Sequence, residues 1–132
     1  MMHPVLEAAL ARMEANTDVQ AYGGMCVIEN DRRCFCALGV IADEYIKAHP
    51  GEVGWVEDKD SEEGEAVDFA FVSPGRSNYR WTSFLPEKIS NALGLTGKSA
   101  SIAEWNDSVR LPLPEIAQRI RDNLTLFPAG NA

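Results

Sequence analysis

"FCALGVIADEY", residues 35 to 45, decides how the rest of this chain is read. A cysteine runs straight into an apolar stretch that contains a glycine. Cys36 has three possible roles: a nucleophile at a helix start, part of a metal site, or the entry to a core helix. From about Cys36 to His49 the apolar residues recur at helical spacing. Leu38, Ile41, Ala42 and Tyr45 form a stripe, while Asp43 and Lys47 make an i,i+4 pair on the outside. Pro50-Gly51 ends the segment. Gly39 inside a helix costs about 1 kcal/mol relative to Ala, which predicts another backbone packed closely on that side.

Before this helix, "YGGMCVIENDRRCFC" reads as a hairpin. Gly23-Gly24 breaks the preceding segment, "MCVIE" is β-compatible, and Asn30-Asp31 tolerates the left-handed dihedrals of a tight turn. Residues 4 to 16 read as a helix, with Leu6, Leu10, Met13 and Ala9 on one face and Pro4 in the first turn. After it, "EVGWVE" and "AVDFAFVS" read as strands, with Val67, Phe69 and Phe71 alternating against Asp68 and Ala70. "LPEKISNALGL" is a short helix with Pro86 near its start and Gly94 as its stop. "SIAEWNDSV" fits either a helix or an irregular segment. A last helix runs from about Pro114 to Phe127, with Ile116, Ile120 and Leu124 on one face. These elements predict an α+β fold: a single compact domain over residues 1–132, with three to four helices packed on a small antiparallel sheet.

The chain has 132 residues and a net charge of -8. Residues 51 to 68 hold eight acids against Lys59 alone, so they carry -7 of that charge. The acidity thus belongs to one loop, about residues 57–65, expected to be solvated and mobile. Such a block does not space carboxylates like phosphates, so nucleic acid is not an expected partner and DNA mimicry is not implied. No run approaches the ~20 apolar residues that cross a bilayer. The first residues lack a basic export signal, and three cysteines are an odd number for a disulfide framework. Both point to a reducing, cytoplasmic setting.

Catalysis by Cys36 needs a base, and the chain has only His3 and His49. On one helix, His49 lies about 20 Å from Cys36 at 1.5 Å per residue, and His3 stands beside the chain start. A buried thiol is the better reading. Zinc would need Cys26, Cys34 and Cys36 with a histidine. A two-residue Asn30-Asp31 loop sets Val27 opposite Cys34 and turns Cys26 away, whereas a three-residue loop brings the three together. No metal and no cofactor is expected. "DKDSEEGEAVDF" is not an EF-hand, because Glu63 and Phe69 stand where calcium loops need Gly and Glu.

The most ligand-like stretch is "SPGRSNYRW", residues 73 to 81. Arg76 and Arg80 suit phosphates, Tyr79 or Trp81 suits stacking on a base, and Asn78 suits a base edge. Arg33 of the hairpin is a further candidate cation. The competing reading packs the aromatics inward and leaves the arginines in water or paired with the acidic loop. Asn106-Asp107 either reaches a ligand or forms an Asx-type turn linking Trp105 to the last helix.

Phe35-Cys36-Ala37-Leu38-Gly39-Val40 with Asp43, then "LPEKISNALGL", then "EWND" and "PEIAQRIRDNL", together resemble a group of small bacteriophage and prophage proteins of unassigned activity. The likeness covers about residues 22 to 48 and 84 to 124 and skips the acidic insertion. Those proteins often have Cys-Cys before Leu-Gly, where this chain has Cys36-Ala37. The resemblance implies the cytoplasm of an infected or lysogenic bacterium. The expected function is a phage-type, non-enzymatic binder that sequesters a nucleotide-derived immune signal, a cyclic nucleotide or an ADP-ribose derivative, with a homo-oligomer as the expected assembly. The alternatives are a protein–protein inhibitor of a host enzyme docking through the acidic loop, and a small hydrolase using Asp43, Glu104 or Asp107.

Overall fold

A computed structural model describes residues 2–57, 65–71 and 80–126. Its elements run α1 (Pro4–Ala15), β1 (Cys26–Glu29), β2 (Arg32–Phe35), α2 (Ala37–Ala48), β3 (Val53–Glu57), β4 (Glu65–Phe71), β5 (Arg80–Trp81), α3 (Glu87–Ala92), α4 (Ser99–Asp107) and α5 (Leu113–Leu126). The sheet is antiparallel in the order β2-β1-β4-β3, with β5 also paired to β4. This is the expected α+β architecture. The described residues hold five helices rather than three to four, because the ambiguous segment around Trp105 is helix α4. No described helix is long and apolar enough to cross a membrane.

Asn30 and Asp31 both adopt left-handed dihedrals, φ 53° and 61°, and close the β1–β2 hairpin in two residues. That loop length sets the register: Val27 faces Cys34 and Cys26 faces Phe35. Since alternate residues of a strand point to opposite faces, Cys26 and Cys34 project to opposite sides of the sheet. β4 carries β1 and β5 on one edge, at Ile28–Glu65 to Cys26–Val67 and at Phe69–Trp81 to Ala70–Arg80. The two short strands lie end to end, and the Met25 N–H donates to Thr82 O at 2.8 Å where they meet. The chain therefore passes from β5 into Thr82-Ser83-Phe84 just beside the segment that enters β1.

α2 is the buried centre. Ala37 through Ala42 are all buried, and α2 contacts α1, α4 and α5. Cys36 is its N-cap: the backbone is extended there, and the sulfur accepts the Gly39 N–H at 3.4 Å. A Cβ on Gly39 would overlap the Met25 carbonyl oxygen and stand 2.7 Å from the carbonyl carbon. That is the close backbone expected from the glycine, and it belongs to the residue just before β1.

α1 is fastened to α2 through charge. Arg12 grips Asp18 with two bonds of 2.8 Å and donates from Nη1 to Asp43 and, at 3.0 Å, to Glu44. Asp43 also accepts the Trp55 indole N–H at 2.9 Å. The Lys47–Asp43 pair expected from spacing is present at 3.6 Å. Asp43 is not on the outside, however; its side chain is only 15% exposed, and Arg12 is its closer partner.

Candidate functional site

Three segments converge where β5 ends: residues 19–23, residues 82–84, and the turn after α4. The Gly23 N–H donates to Asp107 Oδ1 at 2.9 Å, Ser83 Oγ donates to Gly23 O at 3.3 Å, and Gln20 Nε2 donates to Leu111 O at 2.8 Å. Val19, Tyr22, Phe84 and Val109, the most exposed large apolar side chains among the described residues, all stand on these segments and are 41–54% exposed. The Arg110 guanidinium sits 4.7 Å from the Tyr22 ring centroid, a geometry that favours cation–π attraction. Arg110 holds a left-handed backbone, φ 60°, which costs a non-glycine residue about 1 kcal/mol. The rim thus combines two exposed aromatic rings, a guanidinium and a carboxylate.

The residues singled out from sequence fall into separate places. Arg76, Asn78 and Tyr79 lie outside the described residues, as does most of the acidic loop. Arg80 is described by its backbone alone, which pairs with Ala70. Trp81 does not stand free for stacking. Its ring meets Phe71 at 5.4 Å and Phe69 at 6.5 Å, both edge-on, in an aromatic cluster that continues through Trp55 to Phe35. For this residue the inward-packed reading holds. Arg33 is exposed on β2 opposite Ile28, three residues or about 10 Å along β1 from Met25. It is therefore not part of the rim.

Asn106 is completely buried. Its Oδ1 accepts the Ala37 N–H at 3.1 Å and Gln20 Nε2 at 2.8 Å, and its Nδ2 donates to Ala21 O and Asp107 Oδ1, both at 2.8 Å. A primary amide has two donor hydrogens and two acceptor lone pairs, so none remains for a ligand. Asn106 instead caps the first turn of α2 from α4 and pins residues 20–21 to both, which corrects its assignment as a ligand contact. Asp107 is half-buried at the rim and is held by Gly23 and Asn106.

The chemistry of the remaining groups follows from their surroundings. Burial pushes the Cys36 thiol up to about 12, against the helix N–H groups that favour its thiolate. Burial likewise pushes Cys26 up to about 12. Neither thiol ionises near neutral pH, so neither is an activated nucleophile. His3 is occupied as the N-cap of α1, its Nδ1 accepting the Val5 N–H at 3.1 Å. Burial raises the Asp43 carboxyl, but Arg12, Trp55 and Lys47 together outweigh it and hold the group below its ordinary value. Asp43 and Asp107 share no partner among the described residues. Among the described residues, no group of three or more His, Cys, Asp or Glu is placed to hold a metal ion.

Sequence reasoning missed the Arg12 cluster and the Tyr22–Arg110 pair. Arg12 and Asp43 are 31 residues apart, and Tyr22 and Arg110 are 88 apart, so no local pattern marks either. No protein-family model matches this sequence, and comparisons with curated proteins and with solved structures find no similar protein.

Proposed function

We propose that this protein is a non-enzymatic binder of a nucleotide-like small molecule, held on the rim of Tyr22, Phe84 and Arg110. One observation carries the reading. Among the described residues, the most exposed large apolar side chains collect where the chain leaves β5 and passes beside the segment that enters β1. Aromatic faces stack on a base with little regard to its identity, and a guanidinium beside them suits a phosphate. The buried, protonated thiols and the ion-paired Asp43 favour binding over turnover. The phage setting, with a nucleotide-derived immune signal as cargo, rests on the resemblance of residues 22 to 48 and 84 to 124.

The test is a thermal-shift series with nucleotides, cyclic nucleotides and ADP-ribose derivatives, followed by mass analysis of each ligand. A ligand at 100 times its Kd adds about 2.7 kcal/mol. The expected result is a higher melting temperature with the ligand recovered intact. Tyr22→Ala and Arg110→Gly should each abolish the shift, the latter with no backbone strain at φ 60°. An altered ligand refutes the non-enzymatic reading, and an unmoved melting temperature across the panel refutes the nucleotide class. The aliphatic members of the patch, Val19 and Val109, favour a second reading in which a protein docks there. That reading predicts a complex that survives neutralisation of the acidic loop and is lost on Val109→Asp.

A further inference from the structure

A cavity of about 110 Å³ lies apart from the rim, between α4, α5 and the turn before α4. Its wall is apolar: Leu95, Ile102 and Ile120 are buried there, and the Trp105 indole is half-buried. Gly97 opens one lip, with a left-handed backbone at φ 72° where an added Cβ would meet nothing within 4 Å. Two uncharged hydrogen-bonding groups complete the lining, the exposed Ser101 hydroxyl and the half-buried Asn123 amide. Asn123 gives one amide hydrogen to Arg119 O at 2.7 Å. A primary amide also carries a carbonyl acceptor, and among the described residues neither that oxygen nor the Ser101 hydroxyl has a partner. Lys98 also lines the cavity, but it already has an interaction partner within the protein and so calls for no charge on a ligand.

Size and polarity together select a ligand. An apolar protein cavity of about 150 Å³ accepts benzene, so one somewhat smaller accepts an apolar body of roughly four or five carbons. Pockets for nucleotide-sized molecules are several times larger, on the order of 300–1,000 Å³. A short branched chain covers the wall formed by Leu95, Ile102, Trp105 and Ile120. A hydroxyl both donates and accepts, which matches a lining of one carbonyl acceptor and one hydroxyl. An ionised group would leave water without a counter-ion of its own, and its desolvation outweighs what neutral hydrogen bonds return. We propose that this cavity binds a small uncharged aliphatic alcohol with a short branched body, as a site separate from the rim.

The experiment uses the full chain labelled with 5-fluorotryptophan, whose fluorine resonances report Trp55, Trp81 and Trp105 separately. Trp105→Phe assigns the relevant signal. Isopentyl alcohol is titrated at neutral pH and constant ionic strength beside two controls. Isobutyl methyl ether is its isomer without a hydroxyl hydrogen, and sodium isovalerate has its carbon skeleton with a charge. The expected result is a saturable shift confined to Trp105, at least fivefold weaker for the ether and for the carboxylate. Asn123→Leu should bring the alcohol down to the level of the ether. Ser101→Phe, which adds bulk at an exposed lining position rather than in the core, should abolish the shift while leaving the melting temperature in place. A linear, non-saturating drift overturns the proposal. An ether or carboxylate that binds as well as the alcohol, a shift shared by all three tryptophans, or undiminished binding in Ser101→Phe does the same. None of these outcomes depends on whether a nucleotide binds the rim.

Discussion

Replacing Gly39 by alanine isolates the contact on which the centre of the fold depends. In an isolated helix the change is favourable by about 1 kcal/mol. Here the new methyl would overlap the Met25 carbonyl, with its carbon 2.7 Å away and Met25 Cα 3.2 Å away. Both neighbours are backbone, so no side chain can rotate aside. Relief requires the strand-entry segment to move off α2. Met25 O accepts the Cys36 N–H at 3.1 Å, and Met25 N donates to Thr82 O at 2.8 Å. Stretching two buried backbone bonds costs about 1–3 kcal/mol each where the groups are left unpaired. Overpacking adds about 1–3 kcal/mol. After subtracting the propensity gain, the expected loss is roughly 3 kcal/mol or more, a large part of the 5–15 kcal/mol that holds a domain of this size together. Urea unfolding followed by circular dichroism measures it. With an m-value of about 1–3 kcal/mol per molar, the midpoint should fall by roughly 1–3 M. Ala48→Gly, at an exposed position near the helix end, calibrates the propensity term alone. A Gly39→Ala protein as stable as the parent, or more so, would refute the packing argument.

Other outcomes follow from the same geometry. Asn106→Ala should lower stability by about 3–5 kcal/mol, because it leaves the Ala37 N–H and the Ala21 carbonyl without a buried partner and the Gln20 amide with Leu111 O alone. Asn106→Asp should be no milder, since it sets a carboxylate against Ala21 O and Asp107; denaturant melts of both variants check this. Stability should decline in alkali. Cys26 and Cys36 rise in the fold from 9.0 to about 12, so their contribution is complete below pH 9 and is lost as pH climbs toward 12, by on the order of 1 kcal/mol per thiol at pH 10. Cys36→Ser should therefore flatten the stability profile between pH 9 and 10.5 relative to the parent. In acid the sign reverses: Asp43 is held below its ordinary value, so its stabilisation is present above about pH 4 and lost as pH falls through the folded value. Arg12→Met should abolish that acid dependence and loosen α1, read as faster amide exchange along Pro4–Ala15.

The resolution of Cys36 shows how far local sequence reaches. Its place before an apolar period identified a helix entry, and the absence of a nearby histidine argued against catalysis. That Cys36 caps α2 with its sulfur, and that Asn106 supplies the partner for the Ala37 N–H, was not legible. The capping group comes from 69 residues away. Asn106-Asp107 read as a ligand pair or a turn because both are polar and neighbours to an aromatic. Burial, which separates a structural amide from a functional one, is a property of the packed helices rather than of the dipeptide. Trp81 shows the same limit: an aromatic beside arginines fits a stacking platform and an inward-packed ring equally until Phe69 and Phe71 are placed against it.

The sequence by itself determined the periodic elements and the points that force a backbone conformation. The helix stripes, the turn at Asn30-Asp31, the close approach at Gly39 and the α+β class all depend on residues within a few positions of one another or on one residue's sterics. Only the tertiary structure decided which polar groups are structural and which face solvent. It joined Arg12 to Asp18, Asp43 and Glu44, buried Asn106, and brought Tyr22 under Arg110 and beside the segment of Phe84. Those pairings span tens of residues, and hydrogen-bond and charge complementarity act on distance in space, which chain order does not encode locally.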